Sequence, residues 1–283
     1  MASFTNFATL SYNGGTTNSN IVTGEILEAL TAVKTAVSAN YSAGDRITYA
    51  LSLVNTGTAA ITDYTVTDNL GGYTVGANTV YPLAYNAGTV RYYINGVLQT
   101  APTVTAGPPL SVTGLTVPAG GNAVLIYETT ATPVAPLATG SSITNTATIT
   151  GGGLTTPITA QATVDTANSA DLTISKALSP TTVTENGQIT YTFVISNTGN
   201  TEATATGNVV VTDTFAPILR NIAVTYNGTA WTEGTNYTYN AATGVFTTLA
   251  GQITVPAASF TQNTDGTFTV TPGTATLVIT GTV

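Results

Sequence analysis

An all-β chain, two antiparallel β-sandwich domains in tandem behind a separate N-terminal segment, is the fold the sequence predicts. Three observations predict it. The chain is rich in Thr, Val, Ala, Gly and Asn; β-branched residues favour pleated, half-buried strands, while Gly and Asn favour the turns between them. Short apolar/polar alternations, such as Leu172-Thr173-Ile174-Ser175-Lys176 and Ile189–Ile195, recur between those turns, and a period of two puts alternate side chains on one face. Finally, one half of the chain repeats the other.

The repeat is read from three blocks. Ile47-Thr48-Tyr49, Leu53-Val54-Asn55-Thr56-Gly57 and Val66-Thr67-Asp68 return in order as Ile189-Thr190-Tyr191, Ile195-Ser196-Asn197-Thr198-Gly199 and Val211-Thr212-Asp213. The first two blocks lie 142 residues apart and the third 145, so the second copy is longer within Asn200–Asn208. Lys34 and Lys176 are also 142 apart, and Ala123–Ala131 (AVLIYETTA) resembles Ala275–Val283 (ATLVITGTV). Several short strands in each unit read as an immunoglobulin-like antiparallel sandwich. The expected division is an N-terminal donor β-hairpin segment at 1–26, a complete first repeat at 27–168 and a second repeat at 169–283 that lacks its closing strands. Gly24–Val37 carries Ile26, Leu27, Leu30 and Val33 at helical spacing. The repeat assigns the second half of that segment to a strand, which leaves a helical turn only within Gly24–Leu30.

Composition excludes much. Charged residues make up 6% of the chain, with five Lys+Arg against thirteen Asp+Glu and a net charge of −8. Five scattered cations cannot displace the counterions of a nucleic acid or anchor a polybasic segment to a membrane. No apolar run approaches the roughly 20 residues of a membrane helix, so no membrane insertion is expected. Cysteine and histidine are both absent, which removes disulfides, thiolate sites, and the commonest general base and metal ligand. No cofactor and no metal are expected: Asp45, Asp63 and Asp68 are too dispersed for a calcium loop. Residues 1–20 lack the basic start and apolar run of a secretory signal peptide, so export by another route, or a replaced signal, is expected.

Residues 170–215 (ADLTISKALSPTTV…GQITYTFVISNTGN…VVVTDTF) resemble the bacterial repeat family known as domain of unknown function eleven. Its extracellular, often tandem β-sandwich repeats open on a Lys strand, carry a central VTD and close on an NTATV strand. The resemblance extends over nearly the whole chain as two copies, with a divergent middle in each. Two-repeat chains of this size also resemble appendage proteins of bacterial spores, on length and domain count. Together these imply a location on a cell or spore surface.

The closing strand is where the two copies differ. Unit one continues past Ala131 through Thr132–Ser141 into Ser142–Ile149 (SITNTATI), a Gly151-Gly152-Gly153 turn and a strand ending near Val164, whereas unit two stops at Val283, the counterpart of Ala131. Ser3–Leu10 (SFTNFATL) aligns with Ser142–Ile149 at an offset of 139 and is followed by Gly14-Gly15 and Ile21–Ile26. The N-terminal hairpin is therefore expected to complete unit two of another copy by donor-strand complementation, with Phe4, Ala8 and Leu10 pointing inward. Such a contact is head-to-tail and propagates as a filament of the chain with itself. The plain alternative is a frayed leader, or one folded back on its own chain.

The two lysines of the sequence occupy equivalent positions. Lys176 shares parity with Leu172, Ile174 and Leu178, and Lys34 with Leu30, Ala32 and Ala36. Asp68 and Asp213 likewise fall among apolar residues, as do Asn145 (with Ile143, Ala147 and Ile149) and Asn6 (with Phe4, Ala8 and Leu10). A buried ammonium loses its proton or gains a partner, and a neutral amine beside an Asn carboxamide can attack it. A neighbouring buried Asp can then polarise the carbonyl and shuttle the proton. The product is an isopeptide bond, an arrangement resembling that of Gram-positive pilin and adhesin sandwiches. The expected sets are Lys34 and Asn145 with Asp68 inside unit one, and Lys176 with Asp213 and with Asn6 of the adjoining copy. The alternative is a buried Lys–Asp ion pair with Asn as a hydrogen-bonding neighbour.

Other features read as structural. Most tyrosines, and Trp231 in its turn-flanked hairpin, are expected in packing; Asn227 and Asn236 begin glycosylation sequons. No enzyme is expected beyond the self-reacting sets. The sequence thus predicts a structural subunit of an extracellular filament, with itself as partner and an anchor protein on the cell or spore surface as a further one. The alternative is a monomeric adhesin or carbohydrate-binding module displaying loops at the sandwich ends.

Overall fold

The computed structural model describes residues 2–26 and 29–283. They divide into two compact units, Met1–Ala135 with Ser142–Asp165, and Pro136–Ser141 with Thr166–Val283. Both are antiparallel β structures, and the one helical element among the described residues is a 3₁₀ turn at Ala205–Gly207.

Unit one is a sandwich of two six-stranded sheets. The first runs Val97–Leu98, Arg91–Ile94, Asn122–Ala131, Arg46–Asn55, Leu30–Ala36, with Leu83–Tyr85 also paired to Asn122–Ala131. The second runs Thr103–Thr105, Leu110–Val117, Ile61–Asp68, Ser142–Gly151, Ile158–Thr166, Asn40–Tyr41. Alternation along each long strand makes the core. Arg46–Asn55 buries Ile47, Tyr49, Leu51 and Leu53, and Ser142–Gly151 buries Ile143, Asn145, Ala147 and Ile149.

The repeated Asn-Thr-Gly has a structural cause. The Asn55 amide donates to the carbonyls of Ala59 (2.9 Å) and Pro118 (3.0 Å), while its Oδ1 accepts from the Gly57 N–H at 2.9 Å. Asn197 repeats this with Thr201 (2.8 Å), Pro256 (3.0 Å) and Gly199 (2.9 Å). Each buried carboxamide closes the loop after its strand and finds partners for its donors and acceptor on the backbone, as a buried polar group must. A Cβ at Gly199 would come within 2.2 Å of the Ser169 carbonyl oxygen, so the glycine is sterically required.

Unit two repeats the first sheet more faithfully than the second. Its large sheet runs Leu172–Ser179, Gln188–Asn197, Gly273–Thr282, Arg220–Tyr226, Thr229–Trp231. The facing layer has three short strands, Thr212–Thr214, Val245–Thr248 and Tyr237–Asn240. Their core gathers Phe193, Phe215, Phe246, Leu277 and Ile279. In unit one the Asp68 strand lies between two partners, Leu110–Val117 and Ser142–Gly151. In unit two the equivalent Thr212–Thr214 pairs with Val245–Thr248, and its other edge has no paired strand among the described residues. One consequence is visible on the edge strand Leu172–Ser179: Ile174, at a position of inward parity, is 55% exposed.

Residues 2–26 form a two-stranded hairpin. Ala2–Asn6 pairs with Val22–Ile26 and Thr9–Tyr12 with Gly15–Asn18, joined by Asn13-Gly14 with φ of 41° and 79°, the pair of left-handed residues a tight hairpin turn requires. The Phe4 ring lies over Gly24, where a Cβ would come within 2.4 Å of it. The helical turn expected within Gly24–Leu30 is replaced as far as Ile26 by this strand: cross-strand pairing to Ala2–Asn6 overrides the local helical spacing. Leu27 and Glu28 lie outside the described residues. The expected single run Ser3–Leu10 is interrupted at Phe7–Ala8, where Ser19 bonds both backbone groups of Ala8.

The hairpin rests on no core of its own. Phe4 is 54% and Leu10 63% exposed, and Phe7, Tyr12, Ile21 and Val22 are exposed as well. Deleting residues 1–20 is accordingly expected to leave the thermal melting of the monomeric chain unchanged. A drop of several degrees would mean that the hairpin covers apolar surface of its own molecule.

Candidate functional site

In unit one the Lys34 strand (Leu30–Ala36) and the Asp68 strand (Ile61–Asp68) belong to opposite sheets, and their polar side chains meet in the core. Lys34 Nζ lies 2.5 Å from Asp68 Oδ2, with the two side chains 0% and 1% exposed. The Tyr127 hydroxyl donates to the same Oδ2, and Oδ1 accepts the Leu70 N–H at 2.9 Å. The ammonium also stands 4.8 Å from the Tyr49 ring centroid and 5.9 Å from that of Tyr127. Burial pulls the Lys34 amine down from 10.5 to about 8, with Asp68 opposing the shift by charge and by hydrogen bond. Removing water disfavours the charged form, and here it outweighs an ion pair in contact.

Asn145 completes this group from the Ser142–Gly151 strand. It lies two residues before Ala147, which pairs with Asp68, and on the same buried face. The carboxamide is wholly buried, yet neither its nitrogen nor its oxygen makes a hydrogen bond of ordinary geometry. It is nonetheless near enough to the Tyr49 and Tyr127 hydroxyls to favour their ionised forms, although burial dominates and raises both. An orphaned buried carboxamide costs about 1–3 kcal/mol for each unmet group. Native structures hold few such groups, and each calls for a reason.

Unit two builds the same pair in a different setting. Lys176 Nζ lies 2.5 Å from Asp213 Oδ2, but the side chains are 40% and 18% exposed. The amine sits 4.5 Å from the Tyr191 ring centroid, 5.4 Å from that of Phe193 and 5.6 Å from that of Phe215. Asp213 Oδ1 accepts the N–H of the adjacent Thr214 at 2.9 Å. Tyr191 takes the place of Tyr49, while the repeat puts Ile279 where unit one has Tyr127. Asn6, the fourth residue of this set, stands in the hairpin opposite Val22 and is exposed, as are Phe4, Ala8 and Leu10.

Sequence reasoning missed Tyr49 and Tyr127 as members of the first site. The signal was available, since each hydroxyl sits at an inward position of an alternating strand. Trp231 stacks on Tyr226 at 4.8 Å, as a packing residue does. Asn227 lies in the turn after Arg220–Tyr226, and Asn236 bonds Gln252. Among the described residues no group of three His, Cys, Asp or Glu is placed to hold a metal ion, and no helix is long and apolar enough to cross a membrane.

No family model matches the chain, so the resemblance read from residues 170–215 has no match at that level. No curated protein matches it either. Among solved structures the chain is similar to bacterial pilin and adhesin domains. BcpA, the major pilin subunit of Bacillus cereus, is 14% identical over 96% of this chain and 73% of that one, with a TM-score of 0.37. The pilus backbone RrgB of Streptococcus pneumoniae is 13% identical over 86% and 55%, at 0.35. The N-terminal domain of the Streptococcus gordonii adhesin Sgo0707 is 15% identical over 48% and 32%, at 0.36. The chain thus spans about a third of that adhesin structure and about half of the RrgB one. At such scores the likeness is one of β architecture and says nothing of function.

The lowered Lys34 amine gives a signed test. Between about 8 and 10.5 the unfolded chain holds the lysine proton and the folded chain does not, so stability rises with pH through that window and is lowest below it. In Asn145→Ala, where no bond to Lys34 can form, urea unfolding of unit one is expected to shift to higher midpoints from about pH 8 until tyrosines of the unfolded chain ionise near about 10. Adding Lys34→Met should flatten the rise. A midpoint that falls over this range in Asn145→Ala would contradict the assignment.

Proposed function

We propose that the chain is the structural subunit of an extracellular fibre on a bacterial cell or spore surface. It polymerises head to tail by donating its N-terminal hairpin to unit two of the next copy, and Lys–Asn isopeptide bonds reinforce both units. The observation that carries this reading is the contrast between the two lysine–aspartate pairs: one sealed under the Asn145 strand, the other open beside a strand edge with no paired strand among the described residues.

The register in unit one specifies the fit. Ala147 lies opposite Asp68 and Ile149 opposite Val66, all buried. Through the offsets of the repeat, Ala8 falls opposite Asp213 and Leu10 opposite Val211, with Phe4 at the place of Ile143 and Asn6 at that of Asn145. Docking covers Ile174 and Leu178 on the acceptor and buries Phe4 and Leu10 of the donor, each worth about 1.5–3 kcal/mol when fully removed from water. The strand edge gains main-chain partners that it otherwise lacks. Because donor and acceptor lie on different surfaces of one chain, each copy added leaves a free acceptor at one end and a free donor at the other.

The bond-forming step balances without any outside reagent. The Lys34 ammonium passes a proton to the Asp68 carboxylate, and the amine nitrogen bonds to Cγ of Asn145. That nitrogen gives up a second proton to Nδ2 by way of Asp68, the Cγ–Nδ2 bond breaks and ammonia leaves. An amide remains beside a protonated Asp68. The reaction expels one of the two orphaned polar atoms of Asn145, Nδ2, as ammonia, keeps Oδ1 as the oxygen of the new amide, and removes the cost of a buried charge. Lys176, Asp213 and the incoming Asn6 repeat the step between copies. Chemistry of this kind acts on the chain itself, and the protein is not an enzyme toward other substrates.

Two measurements test the proposal. The intact mass of the monomer should fall short of the sequence mass by one ammonia, and Asn145→Ala should restore the full mass expected for that variant; an unmodified native mass would overturn the bond in unit one. On a boiled denaturing gel the concentrated protein should give a ladder of multimers that Asn6→Ala abolishes. A single monomer band for the native chain would overturn the bond between copies.

A further inference from the structure

We infer that the Tyr127 hydroxyl is the positioning residue of the unit-one reaction, holding the Asp68 carboxyl in the orientation that serves Lys34 and Asn145, and that the joint between copies works without such a group. This deepens the reading of Lys34, Asp68 and Asn145 given above and rests on it.

The geometry assigns the hydroxyl a defined task. Asp68 has two oxygens with separate partners. Oδ1 is fixed by the Leu70 N–H at 2.9 Å, a backbone donor two residues along the chain. Oδ2 faces Lys34 at 2.5 Å and accepts the Tyr127 hydroxyl as well. With both oxygens held, the carboxyl plane cannot turn about the Cβ–Cγ bond. Oδ2, the oxygen that must take the proton from Lys34 and deliver it to Nδ2, is thereby kept facing Lys34. Tyr127 is wholly buried on Asn122–Ala131, the central strand of its sheet, with Tyr49 directly opposite it on Arg46–Asn55 and the two rings stacked at 5.9 Å. Its hydroxyl therefore has little freedom to leave the site.

Tyr127 also reaches the second reactant. It and Tyr49 are the tyrosines whose hydroxyls Asn145 influences, but only Tyr127 is hydrogen-bonded to Asp68, and the Tyr49 hydroxyl has no partner of ordinary geometry. Tyr127 thus stands between proton shuttle and carboxamide, where its oxygen can accept as well as donate. Once Asp68 is protonated, the hydroxyl is free to turn toward the Asn145 carbonyl oxygen, on which negative charge develops during attack.

The second unit lacks this part. Ile279 occupies the position of Tyr127, and one of the Asp213 oxygens is held by the neighbouring Thr214 N–H. Lys176 and Asp213 remain open to water until a donor arrives, so orientation there must come with docking. The two sites therefore differ in what fixes the aspartate: a built-in hydroxyl in unit one and the incoming hairpin in unit two.

The test uses Tyr127→Phe, which keeps the ring and removes only the hydroxyl. The full chain is purified in denaturant before the bond forms and refolded over a series of pH values, and ammonia loss is followed by intact mass. The native chain should lose one ammonia. Tyr127→Phe should do so about tenfold to a hundredfold more slowly, the cost of one hydrogen bond to a charged group, with an altered pH profile, while its intermolecular ladder keeps the native rate. Should Tyr127→Phe fail to refold, 3-fluorotyrosine at position 127 keeps the shape but strengthens the donor, and it should shift the pH–rate profile. Equal rates and pH profiles in the native and altered chains would overturn this inference and leave the underlying bond intact. An unmodified native mass would instead overturn the bond itself.

Discussion

A β-sandwich needs both of its sheets, and everything distinctive about this chain follows from a place where one of them is short. Over the Lys34 strand the second sheet of unit one supplies the Asp68 strand and, beside it, the Asn145 strand, and the lysine disappears from solvent. Over the Lys176 strand the second layer of unit two ends at Thr212–Thr214. The same side chains then meet water: Ile174 is exposed and Lys176 half-open. The uncovered edge is a liability in a soluble monomer, and an unpacked hairpin with exposed Phe4 and Leu10 belongs to the same molecule.

The polar residues inside unit one carry a matching tension. An ammonium, a carboxylate, two tyrosine hydroxyls and a carboxamide share a volume from which water is excluded. The ion pair is well made, but Asn145 is not satisfied, and burial still drives Lys34 toward its neutral form. Such a cluster breaks roughly even at best if it remains as it is. Covalent closure turns two costly groups into one amide and a released ammonia. The reactivity proposed for the site is thus a consequence of folding: the packing that buries the lysine is also what makes it a nucleophile.

Much of this was legible because the repeated residues are ones whose chemistry cannot be exchanged. Asn55 and Asn197 recur because each buried side chain closes a loop with three hydrogen bonds to backbone. Lys34 and Lys176 stand out because a charge at an inward position of a strand breaks the alternation. Tyr127 was passed over for the opposite reason: on Asn122–Ala131 it shares the inward face with Ala123 and Leu125 like any core residue, and only coordinates show its hydroxyl reaching Asp68. The short strands Tyr73–Val75, Asn78–Val80 and Ser259–Gln262 also escaped notice. Runs of three or four residues between turns carry too little periodicity to separate strand from loop. The N-terminal arm misled in a third way. Alignment to Ser142–Ile149 implied one continuous strand, but the Ala8 N–H donates to the Ser19 hydroxyl and the Ser19 N–H to the Ala8 carbonyl, and the strand breaks at Phe7–Ala8.

The central claim is directional: the hairpin of one copy closes unit two of another. Two full-length variants test it most directly, Lys176→Met, which can donate Asn6 but not accept, and Asn6→Ala, which can accept but not donate. Each alone should run as a monomer on a boiled denaturing gel, and an equal mixture should give a covalent dimer and nothing longer. Multimers from either variant alone, or only monomer from the mixture when the native chain forms its ladder, would contradict it.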